Sequence, residues 1–278
     1  MVTHASMLTF PVIIKIDPST PETEAKRDLI EEIDNFIRER VTAAGQLISS
    51  YAVKKIEAGD VILTYASSSI VEQSILQAHR EGISFSVIVV DSKPLFEGKK
   101  LARKLANHGL KVRYYLITGA SHAVKDATKV LLGAHAMMSN GRLYSRVGTA
   151  LVSMLASTQS LPVIVLCESV KFTERVALDS IVGNEVAPAE EILSEVERNA
   201  LLPLKPLLSP SSGKGEAEEE PNANTSDVLK WIEGSQNLHM LQILYDVTPV
   251  EYIDMVITEY GSLPPSSVPV VHRLSTNT

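Results

Sequence analysis

The sequence predicts an α/β fold: a mostly parallel β-sheet with helices on both faces, preceded by one long helix. Three observations predict it. Five short runs, VILTY (61–65), FSVIVV (85–90), VRYYLI (112–117), KVLLGA (129–134) and VIVLC (163–167), are rich in β-formers and almost continuously apolar, as strands buried on both faces are. Segments of helical length and pattern alternate with them, at about 68–81, 95–108 and 143–158, with a short turn near 119–126. Ahead of all of these, apolar residues recur in steps of three and four over a long stretch.

That first stretch opens at Thr20-Pro21-Glu22, which reads as an N-cap, a proline at the first helical position and an acid in the first turn. Leu29, Ile33, Phe36/Ile37, Val41, Ala44, Leu47/Ile48, Tyr51/Ala52 and Ile56 then share one face, which the pattern expects to be buried. Gly59-Asp60 ends the helix. After the fifth strand the composition shifts, from about residue 187, to Pro, Ser, Gly and an acidic cluster at Glu216 and Glu218 to Glu220. Residues 203–226 lack apolar periodicity and read as a mobile surface loop. Order is expected to return at Leu229-Lys230-Trp231. Thr248-Pro249 then predicts a helix with Ile253, Val256 and Ile257 on its buried side, and SVPVV (267–271) a last strand. Two parts follow: residues 1–58, an N-terminal segment with the long helix, and residues 59–278, the sheet domain.

Composition narrows the function classes. The 278 residues are 45% apolar and 21% charged, ordinary values for a globular chain. A net charge of −7 argues against direct nucleic-acid binding as the main role. The one cysteine, Cys167, excludes an internal disulfide and fits a reducing compartment. Apolar runs fall short of a membrane span, and the N-terminus lacks the basic and small-residue regions of a secretory signal. A cytosolic location is expected.

Ligands of parallel sheets bind at the carboxyl ends of strands, so the residues after each run carry the candidate chemistry. Ser67-Ser68-Ser69 leads into a helix, where serines either cap or hold an anion; the absence of glycine favours the cap. In Asp91-Ser92-Lys93-Pro94, Lys93 meets a phosphate, or Asp91 caps the next helix and the lysine is solvated. The seven histidines show no metal-ligand spacing, so no metal is expected; His122 and His135 follow strands and serve as catalysts or as packing. Glu168, Lys171, Glu174 and Arg175 read best as a solvated helix start, and Cys167 as a buried small hydrophobe. The richest stretch is LLGAHAMMSNGRLYSRVGTALVSMLA (131–156). It joins a strand to a helix through the Asn140-Gly141 turn, with Arg146, Gly148 and Thr149 at the helix start. This is an anion-pocket arrangement with no convincing catalytic pair.

The same stretch, with VVDSKPLFEGKKLARKL, LPVIVLCESVKF and YDVTPVEYIDMVITEYG, resembles the family that joins the regulatory subunits of eukaryotic translation initiation factor 2B to sugar-phosphate aldose–ketose isomerases. The likeness runs from about Glu24 to Leu274. SRVGT, YDVTP…VITE, CESVKFTERV and SVPVV bring it nearest the delta-type members, with the beta type close behind. It implies a Rossmann-like domain, with the long helix a remnant of a helical domain that MVTHASMLTFPVIIK does not match.

The isomerases carry a catalytic cysteine after the first strand and a catalytic aspartate in a G-A-D pattern. Here those positions hold Ala66, in Thr64-Tyr65-Ala66, and His135, in Gly133-Ala134-His135. Alanine cannot act as acid or base, so isomerase activity is not expected. The family's arginine and lysine are replaced by Lys93 and Arg146, keeping charge while changing geometry. The resemblance thus implies a degenerate ligand pocket at Ser67, Ser68, Lys93, His135, Asn140, Arg146, Gly148, Thr149 and Asp246. It implies no cofactor. It also implies a non-catalytic regulatory subunit of a guanine-nucleotide exchange complex, with beta-type and other subunits and translation initiation factor 2 as partners. The alternatives are an isomerase using His135 as base, and a relative that binds a sugar phosphate or nucleotide without turnover.

Overall fold

The computed structural model describes residues 21–188, 237 and 241–276. Thr20, the 203–226 loop and Leu229-Lys230-Trp231 lie outside them. Chain order is α1 (Glu22–Phe36), a π-helical stretch (Ile37–Ala43), α2 (Ala44–Val53), β1 (Val61–Tyr65), α3 (Ser69–Arg80), β2 (Ser86–Asp91), α4 (Glu97–Asn107) and β3 (Lys111–Leu116). A short α5 (Ala120–Ala123), set between 3-10 turns, leads to β4 (Lys129–Gly133), β5 (Ala136–Met138), β6 (Leu143–Arg146), α6 (Thr149–Thr158), β7 (Val163–Leu166) and β8 (Phe172–Thr173). Last come β9 (Tyr245–Thr248), β10 (Met255–Thr258), β11 (Gly261–Leu263) and α7 (Val268–Thr276).

The main sheet has seven strands in the order β11-β10-β7-β4-β1-β2-β3. It is parallel throughout except for β11, which pairs antiparallel with β10. The inner strands are buried on both faces, and strand parity sorts their core in two; β3, expected to be buried likewise, ends the sheet and is largely exposed. Ile62, Val87, Val89, Leu131 and Ile164 pack with Ile48 and Ala52 of α2, Ile75 of α3, and Leu101 and Leu105 of α4. Leu63, Ile88, Val130, Leu132 and Val165 face Ala120 and Ala123 of α5 and Val152 and Ala156 of α6. The near-continuous apolar runs thus have the expected cause. The connections diverge between β1 and β4, which opens a crevice at their carboxyl ends.

A second sheet, ordered β8-β5-β6-β9, stands over those carboxyl ends and differs from expectation. Residues 143–148, expected in a helix, form β6 and a turn, and the helix begins only at Thr149. The Asn140-Gly141 signal is the reason. Gly141 takes φ +77 and closes a β5–β6 hairpin, with Met138 N–H donating to the Arg142 carbonyl at 2.9 Å. The helix expected after Thr248-Pro249 is a single 3-10 turn, Val250–Tyr252, followed by β10. Val256 and Ile257 are buried because they lie in a central strand. SVPVV is no strand: after Pro264-Pro265 it starts α7 and buries Val268, since a proline in the first helical turn lacks only an amide that has no partner there.

The long helix departs in another way. Pro21 stands at its N-cap position, with Glu22 and Glu24 in the first turn. Its carboxyl half, α2, buries Ala44, Gly45, Ile48, Ser49, Ala52 and Val53, but α1 buries no residue. Of the expected stripe, Ile33 is 40% exposed and Ile37 48%, so its buried residues begin only at Ala44; Ile30, off the stripe, is 60% exposed. Ile48→Ala should therefore lower the unfolding free energy by about 2–5 kcal/mol. Ile30→Ala should leave it within about 0.5 kcal/mol. Urea unfolding of both variants measures the contrast.

Candidate functional site

Beside that crevice, at the carboxyl ends of β1 and β2, lies a cleft of about 290 Å³. Ala66, Asp91 to Leu95, Glu97, Arg146, Val147 and Leu241 to Leu244 line it. Ala66 is buried and adopts φ +53, a left-handed turn that ends β1 and sets a methyl group on the cleft wall. Asp91, also buried, accepts from the Ser92 amide at 3.0 Å, the Lys99 amide at 2.9 Å and the Tyr114 hydroxyl at 2.9 Å. Its carboxylate therefore serves the start of α4, one of the two readings the sequence left open. Gly98 is required beside it, since a Cβ there would stand 2.8 Å from the Asp91 Cγ.

Two features able to hold an anion are already engaged by carboxylates of the chain itself. Arg146, ending β6, grips Glu97 of α4 through a two-pronged pair, Nε to Oε2 and Nη2 to Oε1, both 3.0 Å. Burial opposes the guanidinium charge, but the hydrogen bond and attraction from Glu97 prevail and raise the Arg146 pKa. The guanidinium also lies 5.2 Å from the centre of the Tyr245 ring. That ring stacks on Tyr144 at 4.8 Å and meets His135 at 4.6 Å.

The second feature is the amino end of α6. Asp246, on β9, accepts from the Gly148 amide at 2.7 Å and the Ala150 amide at 3.0 Å through Oδ2. It sits where an external anion would meet the helix dipole. Burial pushes its pKa up to about 6, against those two hydrogen bonds, and its Oδ1 is buried without a hydrogen-bond partner. Gly148 adopts φ +105, and a Cβ there would overlap the Tyr65 hydroxyl. Tyr65 donates to the Val147 carbonyl at 2.5 Å and meets the Ser92 hydroxyl at 2.8 Å. Burial raises its pKa to about 12, so it remains a donor at neutral pH.

The residues expected at the pocket separate into two groups. Lys93 and Arg146 line the cleft, and Gly148 and Asp246 form the adjoining helix start. Thr149 is buried beneath, its hydroxyl donating to the Arg146 carbonyl at 2.6 Å. Asn140 is elsewhere: it lies at the β5–β6 hairpin turn and donates to the Ala177 carbonyl at 2.9 Å. His135 sits in the aromatic group, outside the cleft lining. Ser67 is exposed. Ser68 occupies the N-cap position of α3 without a side-chain cap bond, and its side chain fills the space a Gly133 Cβ would take, so the expected cap is absent. Glu168 is buried and pairs with Lys171 at 2.7 Å, correcting the expected solvated helix start. Cys167 is fully buried, and burial raises its thiol pKa, as a small hydrophobe requires.

Sequence reasoning missed Tyr65, Glu97 and Gln242. Gln242 is 7% exposed, lines the cleft, and has both amide atoms buried without a hydrogen-bond partner among the described residues. A signal existed only for Glu97, an acid in the first turn of a predicted helix.

Two expected outcomes follow from this geometry. Gly148→Ala should cost roughly 2–4 kcal/mol through positive φ and overlap. Combining it with Tyr65→Phe should cost less than the sum, as thermal unfolding of the double-mutant cycle would show. Because the Asp246 pKa is raised from 3.8 to about 6, the fold binds this proton more tightly than the unfolded chain does. The resulting stabilisation, roughly 3 kcal/mol at most, is fully present below the unfolded value and lost as pH rises through about 6. Asp246→Asn should flatten stability across that window in unfolding measured at successive pH values.

With the geometry in hand, three kinds of comparison agree. Residues 2–265 match the model of the Initiation factor 2 subunit family. The chain is 41% identical over 256 residues to translation initiation factor eIF2B subunit delta of Schizosaccharomyces pombe, covering 92% of this chain and 50% of that protein. It is 42% identical over 251 residues to the Dictyostelium discoideum subunit of the same name, covering 90% and 37%. It is 30% identical over 218 residues to ribose 1,5-bisphosphate isomerase of Pyrococcus furiosus, covering 78% and 57%. The chain thus spans about half, or less, of the length of the delta subunits it matches. A chain of the tetrameric eIF2B-beta2-delta2 complex from C. thermophilum superposes with a TM-score of 0.70 at 34% identity, covering 92% of this chain and 69% of that one. By its motifs, its fold and these matches, the chain belongs to the Initiation factor 2 subunit family.

Proposed function

We propose that this protein is a non-catalytic regulatory subunit of the translation initiation factor 2B guanine-nucleotide exchange complex. It assembles there with a beta-type and other subunits and binds translation initiation factor 2 to control initiation. The observation that carries the non-catalytic reading is the state of the cleft. Ala66 and His135 stand where the isomerases carry cysteine and aspartate, and Glu97 and Asp246 occupy the guanidinium and the helix amino end. A phosphate entering at either place has to displace a hydrogen-bonded carboxylate, and the isomerases' cysteine and aspartate positions supply neither group here. The names of the 41% and 42% identical relatives, and the beta2-delta2 assembly that holds the similar solved chain, support the regulatory part. A cytosolic location accords with that role, and no described helix is long and apolar enough to cross a membrane.

The cleft itself is an inherited ligand pocket, for which Lys93 and Arg146 on its wall and Gly148 and Asp246 at the adjoining helix start remain of the nine residues expected. Its residual capacity is for a polar small molecule, such as a sugar phosphate or nucleotide, bound without turnover. Lys93 on the cleft wall, and the Gln242 amide, buried there without a partner among the described residues, support this part.

Co-expression with a beta-type subunit should give a stable complex through size-exclusion chromatography; a chain that elutes alone overturns the regulatory reading. Aldose 1-phosphates should show no turnover. Any turnover abolished by His135→Ala would establish the isomerase reading instead. A sugar phosphate at 100 times its Kd should add roughly 2.7 kcal/mol to stability, read as a thermal shift that Gln242→Leu removes.

A further inference from the structure

A second feature of the molecule lies away from the cleft, at the β3 edge of the main sheet. Residues 97–113 carry six basic side chains, Lys99, Lys100, Arg103, Lys104, Lys111 and Arg113, and one acidic, Glu97. The chain as a whole has a net charge of −7, so the positive charge is concentrated here. Glu97 is committed to Arg146, Lys104 pairs with Glu72 and Arg113 with Asp126. Lys99, Lys100, Arg103 and Lys111 are exposed and make no ion pair among the described residues.

β3 ends the strand order, so its outer row of backbone groups pairs with no described strand. Strand parity places charge on both sides of that row. Val112 and Tyr114 face α4: Val112 packs with the Leu101 and Leu105 cluster, and the Tyr114 hydroxyl reaches Asp91. Lys111 and Arg113 face the opposite side, toward Asp126 and the α5 region. The helix that packs on one face of this edge, α4, carries Lys99 and Arg103 among its exposed residues, and Lys111 and Arg113 stand on the other face of the strand itself. Tyr114 and Leu116, 38% and 41% exposed, add apolar surface along it.

Lysine and arginine on an edge strand ordinarily prevent self-pairing. Here they repel the same edge of a second copy and leave it open to a strand of opposite charge. We propose that the β3 edge and its flanking bases form a docking site for an acidic, extended protein segment, which adds to the sheet beside β3. Side chains of an added strand alternate between the two faces, so a run of consecutive acids meets bases on both. A peptide uses the unpaired amides and carbonyls of β3 as well as the charge. A polynucleotide uses only the charge, which favours the peptide.

The test uses the full 278-residue chain and a fluorescent peptide of about ten residues rich in Glu, Asp and Val, followed by anisotropy. Lys99→Glu with Arg103→Glu, both on the exposed face of α4, should weaken binding by about tenfold or more. N-methylation of alternate peptide amides should weaken it by a similar factor, and bound peptide should slow hydrogen exchange at residues 111–116. The proposal falls if the peptide does not bind, if the N-methylated form binds equally, or if residues 111–116 gain no protection. An RNA oligomer of equal charge that binds more tightly also overturns it.

Discussion

The contact on which the site depends is the Asp246 carboxylate at the amino end of α6. One oxygen accepts two backbone amides, from Gly148 and Ala150. It thereby ties β9, from the end of the chain, to the helix that packs on the sheet centre. The amides of a helix start are unsatisfied donors carrying partial positive charge. Some acceptor has to meet them, and here it is a group of the fold itself. Supplying it internally places a carboxylate in a dry location, and the raised pKa of Asp246 is the physical trace of that burial.

Around this contact the neighbouring groups fall into place. Gly148 lacks a side chain because Tyr65 lies against it, and the Tyr65 hydroxyl in turn holds the Val147 carbonyl and Ser92. Arg146, just before, is held by Glu97 and by the face of Tyr245. The end of β1, the loop after β2, the start of α4 and the second sheet are therefore joined by one set of hydrogen bonds. In a phosphate-binding relative these donors would be directed at a ligand. In this chain they hold structure, and Lys93 and Gln242 are left facing the cleft.

Much of this was legible before any coordinates. The five parallel strands stand within a residue or two of their apolar runs; in four of them the cause is burial on both faces, which removes the alternation of half-exposed strands, whereas β3, at the sheet edge, is mostly exposed. Asn140-Gly141 is a turn, as its sequence predicts, but it closes a hairpin. LYSR, expected in a helix, pairs with YDVT, about a hundred residues later, as a four-residue strand. A strand that short carries too little pattern to oppose the helical reading of its neighbours. The α1 stripe shows a different limit. Periodicity marks which face is apolar, but not what covers it, and Ile33, Ile37 and Val41 remain exposed.

The sequence by itself determined the fold class, the carboxyl-end location of the site, and the absence of the isomerase pair at Ala66 and His135. Each of these rests on local pattern or on the identity of a single residue. Only the tertiary structure decided the partners of the charged groups. It set Glu97 on Arg146, Asp246 on the α6 amides and Gln242 in the cleft lining, and it placed Asn140 at the β5–β6 turn. Those pairings join residues tens of positions apart. An ionic or hydrogen bond is specified by distance and direction in space, and neither quantity is written in the spacing of residues along a chain.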